Sequence, residues 1–247
     1  MNVTGGSILS HPFVKVLLLC LMAGRTLVAQ CEGDLSWDYE DEAEEGFSIG
    51  RLFSDAVTPQ IVRDTDVIRH YIRDPRYAEL MMRCGDMRAV DAIYLRALKI
   101  ADYNIMRGLL LSMMAVLEHQ KIEFRVPVLD ALSVPLSFEE DSLFAQRVQN
   151  LPRNIYDDSP DSRFGDRDKL QHFFASAYIS YASETPELAS GAGNAVEWGE
   201  AKFVVGGADD PRDKRANKQG ELFGRDLIDA KNLLPSDYLL LPIEIEE

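Results

Sequence analysis

Between Gly165 and Gly224, acidic residues recur at helical spacing together with one histidine and one asparagine. Asp168 and His172 stand four apart, Asp213 and Asn217 repeat that interval, and Glu197 and Glu200 stand three apart. Side chains at these intervals share one helix face, so three antiparallel helices carrying them would bring six polar groups to one site. Carboxylates with a single imidazole suit a divalent metal ion, and a spare carboxylate can act as general base. On this reading His172, Asp168, Glu197, Glu200 and Asp213 are the candidate metal ligands, with Asp168 also able to orient His172 from behind. Glu197, Glu200 and Asn217 are the candidate catalytic groups, and the chemistry is metal-assisted and hydrolase-like.

Each pair also has a structural explanation. Asp210-Pro211-Arg212-Asp213 reads as an N-cap, a proline at the first helical position and an acid at the third. Asp168 falls in a first turn, where the helix dipole favours negative charge. His172 precedes Phe173 and Phe174, as a core histidine would. The same residues would then form a non-enzymatic polar network locking helices together. The two readings differ over His172→Ala. A network predicts a loss of several kcal/mol, whereas a ligand site predicts a folded protein without metal.

The elements that must position these groups are three helices, expected near 167–184, 188–205 and 211–229. Breaks fall at Thr185-Pro186 and Gly206-Gly207. Ala216, Gly220 and Gly224 form a small-residue ridge at four-residue intervals, which lets a neighbouring backbone approach. Upstream, Ile61, Val62, Ile68, Tyr71 and Ile72 repeat at helical spacing, and Asp74-Pro75 closes one helix and opens the next. Val90 to Ile105 reads as one apolar stripe continuing into Leu109–Leu117, a buried core helix well short of the ~20 residues of a membrane span. Ile122, Phe124 and Val126 alternate with charges, as in a strand or hairpin. Ser137 and Glu140 form a capping box for a helix through about Gln149. A loop follows over 151–163, and the 135–152 stretch is placed by chain order to cover the polar cluster.

The expected fold is therefore mainly α: a helical bundle with a short hairpin insertion and a C-terminal three-helix subdomain. Residues 1–29 read as a signal peptide and 30–50 as an acidic flexible tail. Residues 51–160 form a helical N-terminal region, 161–232 the polar-site region and 233–247 a tail.

Compartment follows from the first of these segments. Lys15, the apolar run Val16–Ala23 and the small residues up to Ala29 form a secretory pattern too short to cross a bilayer; a buried N-terminal helix is the alternative. Cys31 invites a lipid anchor, but Gln30 stands where a small residue is expected, which favours a soluble exported protein. Without residues 1–29, Cys31 and Cys84 are the remaining cysteines, and an oxidising compartment would permit a disulfide between them. That removal takes out Lys15 and Arg25 and no acid, moving the formal charge from −15 to about −17. Such a charge argues against nucleic-acid binding, which needs a basic face, and disfavours anionic membrane surfaces. An envelope or membrane-protein partner is compatible with it.

The order Asp168-Lys169-x-x-His172, the Glu197/Glu200 pair, then Asp213-x-x-x-Asn217-x-x-Gly220 with Gly224 resembles the YfiM-like group of small envelope lipoproteins. More distantly it is similar to VanZ-like membrane proteins. The match runs from Asp166 to Gly224, about a quarter of the chain. The resemblance singles out Asp168, Lys169, His172, Glu197, Asp213, Asn217 and Gly220; Glu200 departs from it, an aspartate being more usual there. It implies an envelope protein with a polar site and carries no reaction or substrate with it.

Overall fold

The computed structural model describes Cys31 and residues 60–126, 129–135, 139–184 and 210–243. The fold is mainly α, with eight helices among the described residues and one antiparallel hairpin. In chain order the helices are α1 (Gln60–Arg73), α2 (Pro75–Cys84), α3 (Asp86–Ile100) and α4 (Ile105–Val116). The hairpin is β1 (Lys121–Val126) with β2 (Leu129–Pro135), and α5 (Asp141–Gln149), α6 (Arg167–Glu184), α7 (Pro211–Asp226) and α8 (Pro235–Leu239) follow.

Local chemistry sets most of these boundaries. Asp74 accepts a hydrogen bond from the Arg76 backbone N–H, and Pro75 opens α2, as the sequence indicates. The hairpin pairs Lys121 with Pro135 and Phe124 with Leu132, with an irregularity between Phe124 and Val126. No described helix is long and apolar enough to cross a membrane.

Several boundaries differ from expectation. The apolar stripe from Val90 is not continuous, because Asp102 and Tyr103 adopt left-handed backbone and Asn104 caps α4 by accepting from Arg107 N–H. One stripe thus becomes two packed helices. The N-cap of α5 is Glu140, without a side-chain bond; Ser137, the expected start of its capping box, lies outside the described residues. The neighbouring Glu139 pairs with Arg73 and Arg147, and the Glu140 backbone is extended. Helix α5 packs on α1, and Ser159, in the loop that precedes α6, bonds to Asp166 of the polar cluster. The expected tail after Asn232 instead carries α8, held because the buried Asp91 carboxylate accepts from both the backbone N–H and the hydroxyl of Ser236.

One apolar core runs through all of this, from Ile68 in α1 to Leu239 in α8. Its centre is aromatic: Phe173 and Phe223 stack at 5.4 Å, while Tyr94 and Tyr238 meet Phe223 at 5.4 and 5.2 Å. Helix α6 is sandwiched between α4 and α7. It meets α7 unusually closely. A Cβ on Gly220 would lie 2.1 Å from the Phe173 carbonyl oxygen, and one on Gly224 2.2 Å from that of Ala177. Both contacts advance four residues along each helix, so α6 and α7 run parallel, with their N-termini side by side. The small-residue ridge read from the sequence is the surface that permits this approach.

Cys31 and Cys84 form a disulfide, tying the chain near its N-terminus to the end of α2.

Candidate functional site

Two parallel helix N-termini placed together concentrate unsatisfied N–H groups and the positive ends of two dipoles. Four aspartates answer that field: Asp166 and Asp168 at the start of α6, Asp210 and Asp213 at the start of α7. Asp210 is the N-cap of α7, accepting from Arg212 N–H, with Pro211 in the first turn. The capping role read from the sequence is therefore real, but it is only part of what these residues do.

Four carboxylates gathered this closely need cations, and two basic side chains supply them. The Lys169 ammonium lies 2.7 Å from Asp168 Oδ2, 3.0 Å from Asp210 Oδ2 and 2.6 Å from Asp213 Oδ1. Its side chain is only 4% exposed. Arg212 lies 2.7 Å from Asp166 and 2.9 Å from Asp210, and the Ser159 hydroxyl donates to Asp166 from the preceding loop. Burial works against the Lys169 charge, yet its three carboxylate partners outweigh burial and hold the ammonium well above its usual pKa. At Asp210 burial would raise the carboxyl, but bonds from Arg212 and Lys169 override it and hold the group far below the ordinary carboxylate range. Asp166 goes the other way: it is wholly enclosed, and burial raises it despite Ser159, Arg212 and Lys169.

Of the sequence-derived site residues, Asp168, His172 and Asp213 are brought together, but around Lys169. His172 Nε2 stands 3.5 Å from Asp213 Oδ1, at the edge of the cluster. Asn217 sits one turn further along α7 and accepts from the Ser176 hydroxyl at 3.1 Å, a second polar tie between the helices. Ser180, donating to the Glu221 carbonyl, makes a third. Glu197 and Glu200 lie outside the described residues. Among the described residues, no group of three or more His, Cys, Asp or Glu side chains is arranged to hold a metal ion. The physical reason is visible in the geometry, since the space between Asp168, Asp210 and Asp213 is filled by an ammonium. Two of the five ligands expected from the sequence, Glu197 and Glu200, are not among the described residues, and of the other three Asp168 and Asp213 pair with Lys169.

Sequence reasoning missed Asp166, Asp210 and Arg212 as members of the cluster and gave Lys169 no role of its own. A usable signal existed. Asp166-x-Asp168-Lys169 and Asp210-x-Arg212-Asp213 are two helix starts of the same mixed-charge type, and like starts with opposite charges to exchange fit side by side.

The fold of α6 onto the rest of the molecule uses charge as well. Arg167 pairs with Glu118 at 3.0 Å, and burial raises the Glu118 carboxyl above its ordinary range against the pull of Arg167.

The depressed carboxyl gives a pH prediction. A group whose folded pKa is lowered contributes stability that is present above its unfolded value, about 3.9 for Asp, and lost as pH falls through the folded value. Asp210→Asn keeps a good N-cap residue but removes this contribution. The stability gap between wild type and Asp210→Asn, from urea unfolding, is expected to be constant from about pH 7 to 5 and to shrink below about pH 4.

Comparison of the chain with protein-family models, with curated proteins and with solved structures finds no match.

Proposed function

We propose that this chain is an exported protein of the cell envelope whose Asp168, Lys169, His172 and Asp213 cluster is a helix-locking ion network, and that the protein acts through binding, not hydrolysis. The observation that carries the reading is the Lys169 ammonium among three carboxylates contributed by two helices. A lysine held this way keeps its proton, so it is neither a base nor a nucleophile. The cation that a metal site would import is already covalently part of the chain.

Export is supported by the secretory pattern of Lys15 to Ala29 and by the Cys31–Cys84 disulfide, a bond that persists in oxidising compartments. The disulfide also favours a soluble protein over one lipidated at Cys31. The motif order shared with YfiM-like proteins supports an envelope setting, and the net charge of −15 supports partners other than nucleic acid.

One observation favours the metal-dependent, hydrolase-like reading as a second. The His172 ring is partly exposed and its Nε2 contacts Asp213 at 3.5 Å, so the imidazole and this carboxylate could share a metal ion. With Asp213, Glu197 and Glu200 the imidazole would make a divalent-metal set.

Elemental analysis of protein purified without chelator, alongside His172→Ala, separates the two. The lock predicts no stoichiometric metal and, in place of the several kcal/mol expected for a central member of a network, a His172→Ala cost of about 1 kcal/mol or less, because the 3.5 Å contact is partly exposed and Asp213 keeps Lys169. Near-stoichiometric metal that disappears in a folded His172→Ala protein would overturn the lock in favour of the second reading.

A further inference from the structure

A second polar-apolar feature lies away from the ion network. A cavity of about 380 Å³ opens between the loop before α6, helix α7 and the segment following α8. That volume is in the range of small-molecule sites. Ile155, Leu241 and Ile243 give it apolar walls, and Tyr156, Arg215 and the solvent-exposed Asp157, which we take as its mouth, complete the lining.

The cavity is held open by a fully bonded floor. Gln219 is completely buried. The Tyr156 hydroxyl donates to Gln219 Oε1 at 2.6 Å, and Gln219 Nε2 donates to the carbonyls of Leu239 and Leu241, each at 3.0 Å. One amide side chain thus fixes both the aromatic wall and the apolar wall, so little ordering is left for a ligand to impose. Leu241 is 40% exposed and Leu240 beside it 67%, apolar surface that an occupant would cover.

The charges at the mouth select the occupant. Arg215 lies over the Tyr156 ring at 4.8 Å and makes two bonds to Asp158, at 2.9 and 3.1 Å. Its charge is already matched. Asp157 has no ion pair among the described residues, so the mouth carries an excess negative charge, on a chain whose net charge is −15. Complementarity calls for an apolar body with a cationic end. We propose that this cavity binds a small apolar amine, its hydrocarbon part against Ile155, Leu241 and Ile243 and its ammonium at Asp157.

The test uses the whole protein and two probes of equal length and opposite charge, 4-phenylbutylamine and 4-phenylbutyrate, titrated at low salt and followed by NMR at Tyr156, Leu241 and Ile243. The amine is expected to shift these resonances saturably and to bind about tenfold more tightly than the carboxylate. Asp157→Asn, an exposed substitution that leaves the fold intact, is expected to remove most of that preference. The proposal is overturned if the carboxylate binds as well as the amine, if Asp157→Asn binds the amine as tightly as wild type, or if the amine leaves the three resonances unmoved at millimolar concentration.

Discussion

Gly220→Ala destabilises the protein by about 3 kcal/mol or more, and adding Gly224→Ala abolishes the cooperative unfolding transition. The first figure is at the upper end of overpacking costs, for a geometric reason. The new methyl group meets the backbone carbonyl of Phe173 at 2.1 Å, and a carbonyl inside a helix cannot rotate away. The helices must separate, which pulls Phe223 off Phe173 and draws Asp213 away from Lys169. The gain of about 1 kcal/mol in helix propensity from Gly to Ala does not offset this. Gly108→Ala is the internal control: there the added methyl meets the Leu98 side chain at 2.7 Å, which can swing aside. Urea unfolding of the three variants is expected to show Gly108→Ala close to wild type and Gly220→Ala far below it.

Arg147→Met is expected to cost about 3–5 kcal/mol, the range for removing one partner of a buried ion pair. Arg147 is fully enclosed, among the largest such side chains of the described residues. Its Nε donates to Glu139 at 2.8 Å, and its Nη1 donates to the carbonyls of Ala115 and Leu117 at 2.9 and 3.0 Å. Those carbonyls lie at the C-terminal end of α4, where no further turn of helix can satisfy them. Methionine matches the stem but leaves both oxygens buried without a donor. Amide exchange near Leu117 should accelerate along with the loss in unfolding free energy, which separates a local capping role from general loosening.

These expectations show which parts of the molecule were legible beforehand. The helices α6 and α7, the N-cap at Asp210 and the ridge of Ala216, Gly220 and Gly224 follow from local rules, because caps and close packing depend on residues a few positions apart. The fate of Lys169 did not follow. A lysine in a first turn is ordinarily solvated, and only the parallel pairing of two helix starts, 41 residues apart from Lys169 to Asp210, encloses it. Asp91 and Gln219 were invisible for the same reason. Their partners, Ser236 at 145 residues' separation and Leu239 on another element, exist only once the chain has folded. The break at Asp102-Tyr103 went unseen because neither residue is a glycine or proline, the usual markers of a reversal. His172 drew attention by its chemistry, yet the geometry gives the central place to its neighbour three residues earlier.

Lys169 is the cation of the proposed lock, and Lys169→Met tests that most directly. At neutral pH the variant leaves Asp168, Asp210 and Asp213 facing one another without their shared partner. The expected loss is roughly 2–4 kcal/mol, somewhat below the fully buried case because Asp168 and Asp210 reach solvent. The sign of the pH dependence is fixed. Crowded carboxylates without a cation bind protons more tightly folded than unfolded, so the variant regains stability relative to wild type as pH falls from about 7 to 4. Lys169, whose raised pKa lies far above this window, contributes to the wild type without change across it. The decisive measurement is therefore the unfolding free energy of wild type and Lys169→Met across that range. A large deficit at neutral pH that narrows with acid is the predicted result, and a Lys169→Met protein as stable as wild type at pH 7 would contradict the lock.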